Sequence, residues 1–302
     1  MTWNKLGLVY CPNNNYDWMQ THAANPVAEH LENDVFRIYF STRNESNISS
    51  LGFVDIDIKY PSEIINISNT PVLSPGELGT FDADGVSLAC ITHNQGKKYL
   101  YYLGWNLCKT VPWNNSIGLA IQAIDSNFER YSKGPLMGRD IHDPYTISYP
   151  WVMKDKDKWK MWYGTHLQWN RPEERESFLH ALKYAESDDG IHWTKHAKIV
   201  LPIDSSKGEY AIAKPCVIKE NDIYKMWYAH RGDKYRIGYA ESKDGIQWIR
   251  KDAEAYINVS DSGWDSESIE YPFVFKHHEN KYMLYNGNGY GKTGFGLAVW
   301  KD

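Results

Sequence analysis

Lys214-Pro215-Cys216-Val217-Ile218-Lys219, followed by Lys225-Met226-Trp227-Tyr228 and by Ile237-Gly238-Tyr239-Ala240-Glu241-Ser242-Lys243-Asp244-Gly245-Ile246-Gln247-Trp248, decides the fold, because the chain spells this pattern more than once. Upstream, Tyr149-Pro150-Trp151-Val152-Met153-Lys154 leads to Lys160-Met161-Trp162-Tyr163 and then to Leu182-Lys183-Tyr184-Ala185-Glu186-Ser187-Asp188-Asp189-Gly190-Ile191-His192-Trp193. In both copies Pro precedes the last Tyr of the second segment by thirteen positions. Downstream, Tyr271-Pro272-Phe273-Val274-Phe275-Lys276 reaches Tyr282-Met283-Leu284-Tyr285 at the same spacing and ends on Phe295-Gly296-Leu297-Ala298-Val299-Trp300, with no fourth segment. Two weaker copies come first: Asn25-Pro26-Val27 with Phe36-Arg37-Ile38-Tyr39-Phe40, and Gly85-Val86-Ser87-Leu88 with Tyr99-Leu100-Tyr101-Tyr102.

A repeat of tens of residues, built from short β-type segments between Gly, Asn and Asp turns, is the signature of a radial array. The sequence predicts an all-β fold, a five-bladed β-propeller occupying 1–302 as one domain. Because the last unit is one strand short, Lys5-Leu6-Gly7-Leu8-Val9-Tyr10 is expected to supply it, an N-terminal strand closing the last blade. The stretch from Gln168 to Phe178 is expected to be a helical insertion capping one face. The Ser-x-Asp-Gly-x-x-Trp segments at Ser187 to Trp193 and Ser242 to Trp248 read as structural turns: Asp accepts backbone hydrogen bonds, Gly takes the left-handed conformation and Trp packs between blades.

Composition narrows the function classes. Charged residues make up 24% of the 302, the net charge is -5, and no block of like charge occurs, so neither nucleic acid nor an anionic membrane surface is an expected partner. No apolar run reaches the ~20 residues of a membrane span, and no signal-peptide core follows Met1, so a cytoplasmic protein is expected. Cys11, Cys90, Cys108 and Cys216 are far apart, form no CxxC pair and suggest packing rather than metal or disulfide chemistry; no metal and no cofactor are expected. Aromatic residues reach 15%, with 13 Trp and 22 Tyr, which suits pleated, half-buried surfaces and also the stacking of rings on sugars.

The Pro-led first strand, the Lys-Met-Trp-Tyr second strand and the Ser-x-Asp-Gly-x-x-Trp turn together resemble the five-bladed propellers of the glycoside hydrolases. That superfamily includes the arabinanase and xylosidase family 43, the invertase and levansucrase families, and the mannoside phosphorylases. Gly104-Trp105-Asn106, Trp264-Asp265-Ser266-Glu267 and Tyr285-Asn286-Gly287-Asn288-Gly289-Tyr290-Gly291 are similar to bacterial glycosidase-like propellers encoded among surface-polysaccharide biosynthesis genes. The resemblance implies a carbohydrate role, with a carbohydrate or sugar-phosphate ligand. It also exposes a departure: family 43 carries an Asp base before the Pro of the first blade, where this chain has Asn25 before Pro26. The third-blade acid would be a Glu two residues before Pro, where Ser148 precedes Pro150.

Residues around the start of each innermost strand should face a shared axial pocket. Glycosyl transfer needs one carboxyl group to protonate the leaving oxygen and one to activate water or attack carbon. Asp84, Glu209 and Glu267 are the expected catalytic carboxylates, Glu209 because its apolar flanks should raise its pKa. Expected to bind substrate are His22, Asn25, Arg43, Trp105, His142, Asp143, His166, Lys214, Arg231, Glu270, Asn286 and Tyr290. The arginines and Lys214 hint at an anionic group, or else at balancing charge for the nearby carboxylates. Two readings follow: an enzyme that cleaves or transfers a glycosyl unit, including a glycosyltransferase or phosphorylase, and a non-catalytic propeller that binds a glycan or another partner.

Overall fold

The computed structural model describes residues 2–14, 16–124, 126–170 and 178–301. Its strands follow one another as antiparallel meanders. Thr21–Glu32, Val35–Arg43, Ser49–Asp57 and Ile64–Ile67 are succeeded by Gly85–Asn94, Lys97–Leu107, Trp113–Gln122 and Glu129–Arg130. A single parallel pairing of Ser49 with Gly85 joins the two groups. The same arrangement recurs in Ile147–Asp155, Lys158–Trp169, Phe178–Ser187 and Trp193–Leu201, joined through His180 and Ala211 to Ala211–Glu220, Ile223–Arg231, Tyr235–Ser242 and Ile249–Arg250. The last group is Glu270–His277, Asn280–Asn286 and Phe295–Lys301, with Thr2–Tyr10 as its outer strand.

That outer strand runs antiparallel to Phe295–Lys301 from Thr2 opposite Lys301 to Tyr10 opposite Phe295, so the chain start completes the sheet that the chain end leaves short. Hydrophobic faces of neighbouring groups supply the cores. Trp151 packs against all four of the larger clusters, which identifies it as a central residue. The helical insertion expected from Gln168 to Phe178 is strand at both ends, in Lys158–Trp169 and Phe178–Ser187, and 171–177 lies outside the described residues.

The Pro that heads the repeat has a mechanical consequence. Proline has no N–H to give to a ladder and bars the preceding residue from the right-handed helical region. Registers accordingly break between Ala24 and Val27, Ser148 and Trp151, Ala213 and Cys216, and Glu270 and Phe273. At each break the residue before Pro has positive φ: Asn25 at 55°, Tyr149 at 32°, Lys214 at 50° and Tyr271 at 55°. For Tyr and Lys that conformation costs about 1 kcal/mol or more. Such bulges bend a strand and re-aim a side chain, and these turn the residue before Pro toward the centre.

The Ser-x-Asp-Gly-x-x-Trp segments are structural turns. Asp189 Oδ1 accepts from the amides of Ile191 and His192 at 2.8 Å, and Asp244 does the same for Ile246 and Gln247. Gly190 and Gly245 have φ of 77° and 79°, and their carbonyls accept from Tyr101 and Trp162 of other repeats. A side chain there would be strained and would press on Trp159 or Trp162. The turns therefore lock one repeat to the next.

Candidate functional site

The bulged strands converge on a cavity of about 440 Å³. Asn25, Tyr149 and Tyr271, three of the residues before Pro, line it. Tyr149, Tyr271, Tyr235 and Tyr290 form a continuous aromatic wall, each ring centroid 5.8 Å from the next. Trp105 lines the cavity with its indole nitrogen donating to Ser49 Oγ at 2.8 Å, which fixes the ring plane.

Three histidines lie in the wall and all are held neutral at pH 7. Burial, with the Arg43 charge, pulls His22 down to about 4; burial, with His180 nearby, pulls His166 to about 2; burial also takes His180 to about 4, although the Ile212 carbonyl opposes it. A carbonyl only accepts, so His180 Nδ1 carries the proton and Nε2 accepts from the Ser148 hydroxyl at 2.8 Å. His166 faces His180 across paired strands, and its buried Nδ1 has no hydrogen-bond partner. The cavity's fixed positive charge comes from Arg43 and Arg231. Arg43 donates to Asn47 Oδ1 at 2.7 Å. Arg231 donates to the Tyr290 hydroxyl and stacks over Tyr210, Tyr235 and Tyr290 at 5.2–5.4 Å.

Of the residues expected to meet at the site, His22, Asn25, Arg43, Trp105, His166, Arg231 and Tyr290 line the cavity together. The three expected catalytic carboxylates do not. Asp84 accepts from the Leu107 amide at 2.8 Å and holds a strand end. Glu209 is buried in a different setting: Arg250 grips both its oxygens at 2.7 and 2.9 Å, and His230 contacts it at 2.9 Å. Burial alone would raise its pKa, as the sequence reading expected, but the Arg250 guanidinium and the hydrogen bond with His230 outweigh it and hold the carboxyl at about 2. Glu267 is exposed and paired with Lys234 at 2.8 Å, which lowers its pKa.

Other expected residues are structural as well. Asp143 accepts from Tyr163 at 2.9 Å and pairs with Lys183 and Lys195 at 2.9 and 3.0 Å. Asp82 with Tyr102 and Arg130, and Asp265 with Tyr285 and Lys5, repeat that arrangement at the same twenty-residue spacing. His142 is exposed, and its carbonyl accepts from Lys183. Asn286 binds the Asn25 amide at 2.8 Å and the Ala23 carbonyl at 2.7 Å, tying the last repeat to the first. Lys214 is buried outside the cavity lining, donates to the Ala89 carbonyl, and is pulled down to about 8 by burial despite Cys90 and Cys216.

Glu270 stands apart from these. It is buried, both carboxylate oxygens lack a hydrogen-bond partner, and it directly precedes the wall residue Tyr271. Burial raises its pKa to about 8; the Tyr290 amide and Arg231 pull it back only in part. The sequence reading missed Tyr149, Tyr235, Tyr271 and His180. Tyr149 and Tyr271 carried a usable signal, since they stand before Pro as Asn25 does.

Away from the cavity, Asp34, His277 and His278 form the one three-ligand cluster among the described residues. Lys59 already neutralises Asp34, and the cluster links the hairpin turn after Thr21–Glu32 to that after Glu270–His277. It serves as a hydrogen-bonded lock between the first and last repeats.

The fold is that of the propeller glycoside hydrolases. The chain is similar to the solved structure of a "Glycoside hydrolase" (TM-score 0.77, 19% identity, 100% of this chain and 92% of the other). It is also similar to a thermostable family-43 glycoside hydrolase (0.70, 14%, 95% and 93%). A mannoside phosphorylase-family structure, described with hydrolases "that target beta-1,2 mannosidic linkages in Candida mannan", matches at 0.70 and 15% over 99% and 93%. By sequence the chain belongs to the family of the Mycobacterium tuberculosis proteins named "Uncharacterized protein MT1551" and "Uncharacterized protein Rv1502", with 45% and 44% identity over 302 residues and all of each chain. A 1,2-beta-oligomannan phosphorylase of Thermoanaerobacter sp. is 31% identical over 118 residues, 38% of either chain. No family model matches.

Proposed function

We propose that residues 1–302 form a single five-bladed propeller and that it is a carbohydrate-active enzyme, cleaving or transferring a glycosyl unit in the central cavity with Glu270 as proton donor. One observation carries this reading: a carboxyl group with a pKa of about 8 adjoins the aromatic wall. A general acid must hold its proton at working pH and release it to the leaving oxygen, and a value near 8 meets that need. The blade count is supported by the recurring bulge before Pro, the recurring Asp–Tyr bond and the outer strand contributed by the N-terminus. The name of the oligomannan phosphorylase and the glycan-acting structural relatives support the substrate class.

Among the described residues no carboxylate lines the cavity and Glu270 is buried beside it, so the two-carboxylate route to hydrolysis lacks a second acid. Transfer to an anionic acceptor needs only the acid, because the acceptor is itself the nucleophile. This favours glycosyl transfer or phosphorolysis, in a cytoplasmic setting such as polysaccharide assembly. The test is turnover of glycosides with and without phosphate, and of sugar nucleotides, by wild type and by Glu270→Gln. Loss of at least 100-fold in kcat with intact folding is the expected result. Unchanged kcat sinks the assignment. Because Glu270 lies behind the wall rather than on it, a second reading is a glycan-binding propeller without turnover. That reading predicts retained binding and no product from any donor.

A further inference from the structure

The cavity contains two guanidinium groups and, among the described residues, no acid to balance them. Among the described residues neither Arg43 nor Arg231 has a carboxylate within ion-pair distance, whereas Arg37, Arg130 and Arg250 each have one at 2.7–2.8 Å. Charge balance for a neighbouring acid among the described residues therefore does not account for these cations. The nearby acid Glu270 keeps its proton at neutral pH. The Nε–H of Arg231 is buried without a partner, an unused donor that costs stability until something accepts from it.

We infer that the cavity is built for an acidic carbohydrate, one whose ring carries a carboxylate or a phosphate ester. The aromatic wall runs from Tyr149, which feels the Arg43 charge, through Tyr271 to Tyr235 and Tyr290, over which Arg231 lies. A cation at each end of a wall of rings suits a sugar that stacks by its apolar face and presents an oxyanion at its edge. His22 and His166 are neutral and serve the hydroxyl groups, as Ser148 and Asn25 do, while His180 orients Ser148. Planar, bidentate recognition is what guanidinium supplies, and a neutral sugar would leave both guanidinium groups without an anionic partner.

The inference rests on the proposed cavity function but is tested by binding alone. Purified full-length protein is screened on a glycan array that displays neutral glycans beside uronate-bearing, sialylated and phosphorylated ones, with inorganic phosphate titrated separately. Acidic glycans should be retained, with affinity falling at least tenfold as salt rises from ~50 to ~500 mM, and falling a further tenfold or more in Arg43→Gln and Arg231→Gln. Arg231→Lys should recover part of the loss, which separates charge from packing; melting temperatures identify any variant that fails to fold. Glu270→Gln should bind acidic glycans undiminished even if it turns nothing over, so failure of the catalytic reading does not disturb this one. Equal retention of neutral and acidic glycans, unchanged affinity in both arginine variants, or free phosphate binding as tightly as any acidic glycan would overturn it.

Discussion

Glu270 and Arg231 lie within electrostatic reach of each other, yet they form no ion pair: the carboxyl oxygens are unpartnered, and the guanidinium turns instead to the ring and hydroxyl of Tyr290. A buried acid beside a cation normally ionises and pairs. Here the aromatic wall takes the cation, desolvation wins, and the acid keeps its proton. The proton and the positive charge are thereby held on separate groups, the acid buried outside the cavity lining and the guanidinium on it.

That arrangement predicts a pH signature in stability. The folded protein holds the Glu270 proton up to about pH 8, while the unfolded chain releases it near the ordinary 4.5, so the folded state binds more protons between those values. Stability contributed by this group is therefore full below 4.5 and lost as pH rises to about 8, by on the order of 5 kcal/mol. Glu270→Gln does not titrate. Its stability relative to wild type should rise between pH 5 and 8.5 in urea unfolding; parallel curves would contradict the buried, protonated acid.

Glu209 should behave oppositely. Its carboxylate is ionised and gripped by Arg250 and His230, so removing the charge leaves Arg250 partly stranded, at a cost of about 3 kcal/mol. The depressed pKa gives the sign: this stabilisation is present above pH 4.5 and lost as pH falls toward 2. Glu209→Gln should lower the melting temperature at pH 7, yet leave ligand affinity within twofold of wild type. A selective loss of turnover without destabilisation would return Glu209 to the catalytic group.

Asp143 provides a third contrast. It neutralises Lys183 and Lys195, both nearly buried, and accepts from Tyr163 and Thr165. Asp143→Asn strands Lys183, while Lys195 keeps Asp140 at 2.9 Å, and should cost about 3 kcal/mol, expressed as loss of soluble protein or a lowered denaturant midpoint. A well-folded Asp143→Asn with weakened ligand binding would instead make it a substrate contact.

The difference between what was legible and what was not follows from the range of the forces. Repeat spacing, Pro position and turn chemistry act within a few residues, so the strand order, the Ser-x-Asp-Gly-x-x-Trp turns and the N-terminal strand beside Phe295–Lys301 could be read from the chain. The neighbourhood of a carboxylate is set by residues far along the chain. Arg250 neutralises Glu209 from 41 positions away, and nothing around Gly208-Glu209-Tyr210 announces it. Polar character at the start of a first strand or the end of a second was thus a fair guide to cavity-lining arginines and histidines, and a poor guide to acids. Glu270 was visible as Glu-x-Pro, but only the absence of a partner distinguishes it from the structural acids.

Asn25 offers the most direct probe of the cavity's charge. It stands where family 43 carries its Asp base, its φ of 55° is one that Asp also tolerates, and its buried Oδ1 has no hydrogen-bond partner. Asn25→Asp therefore changes charge with little change in shape. A carboxylate there would face the cavity lined by Arg43, supply the balancing anion that the arginines lack, and repel an acidic ligand. Affinity for acidic glycans should fall about tenfold or more while neutral glycans are unaffected, and the melting temperature should hold or rise as the new charge meets a cation. Calorimetric titration of wild type and Asn25→Asp with one acidic and one neutral glycan decides it. Equal affinities for the acidic glycan would mean that the charge at this position, and by extension the field of Arg43, does not govern what the cavity accepts.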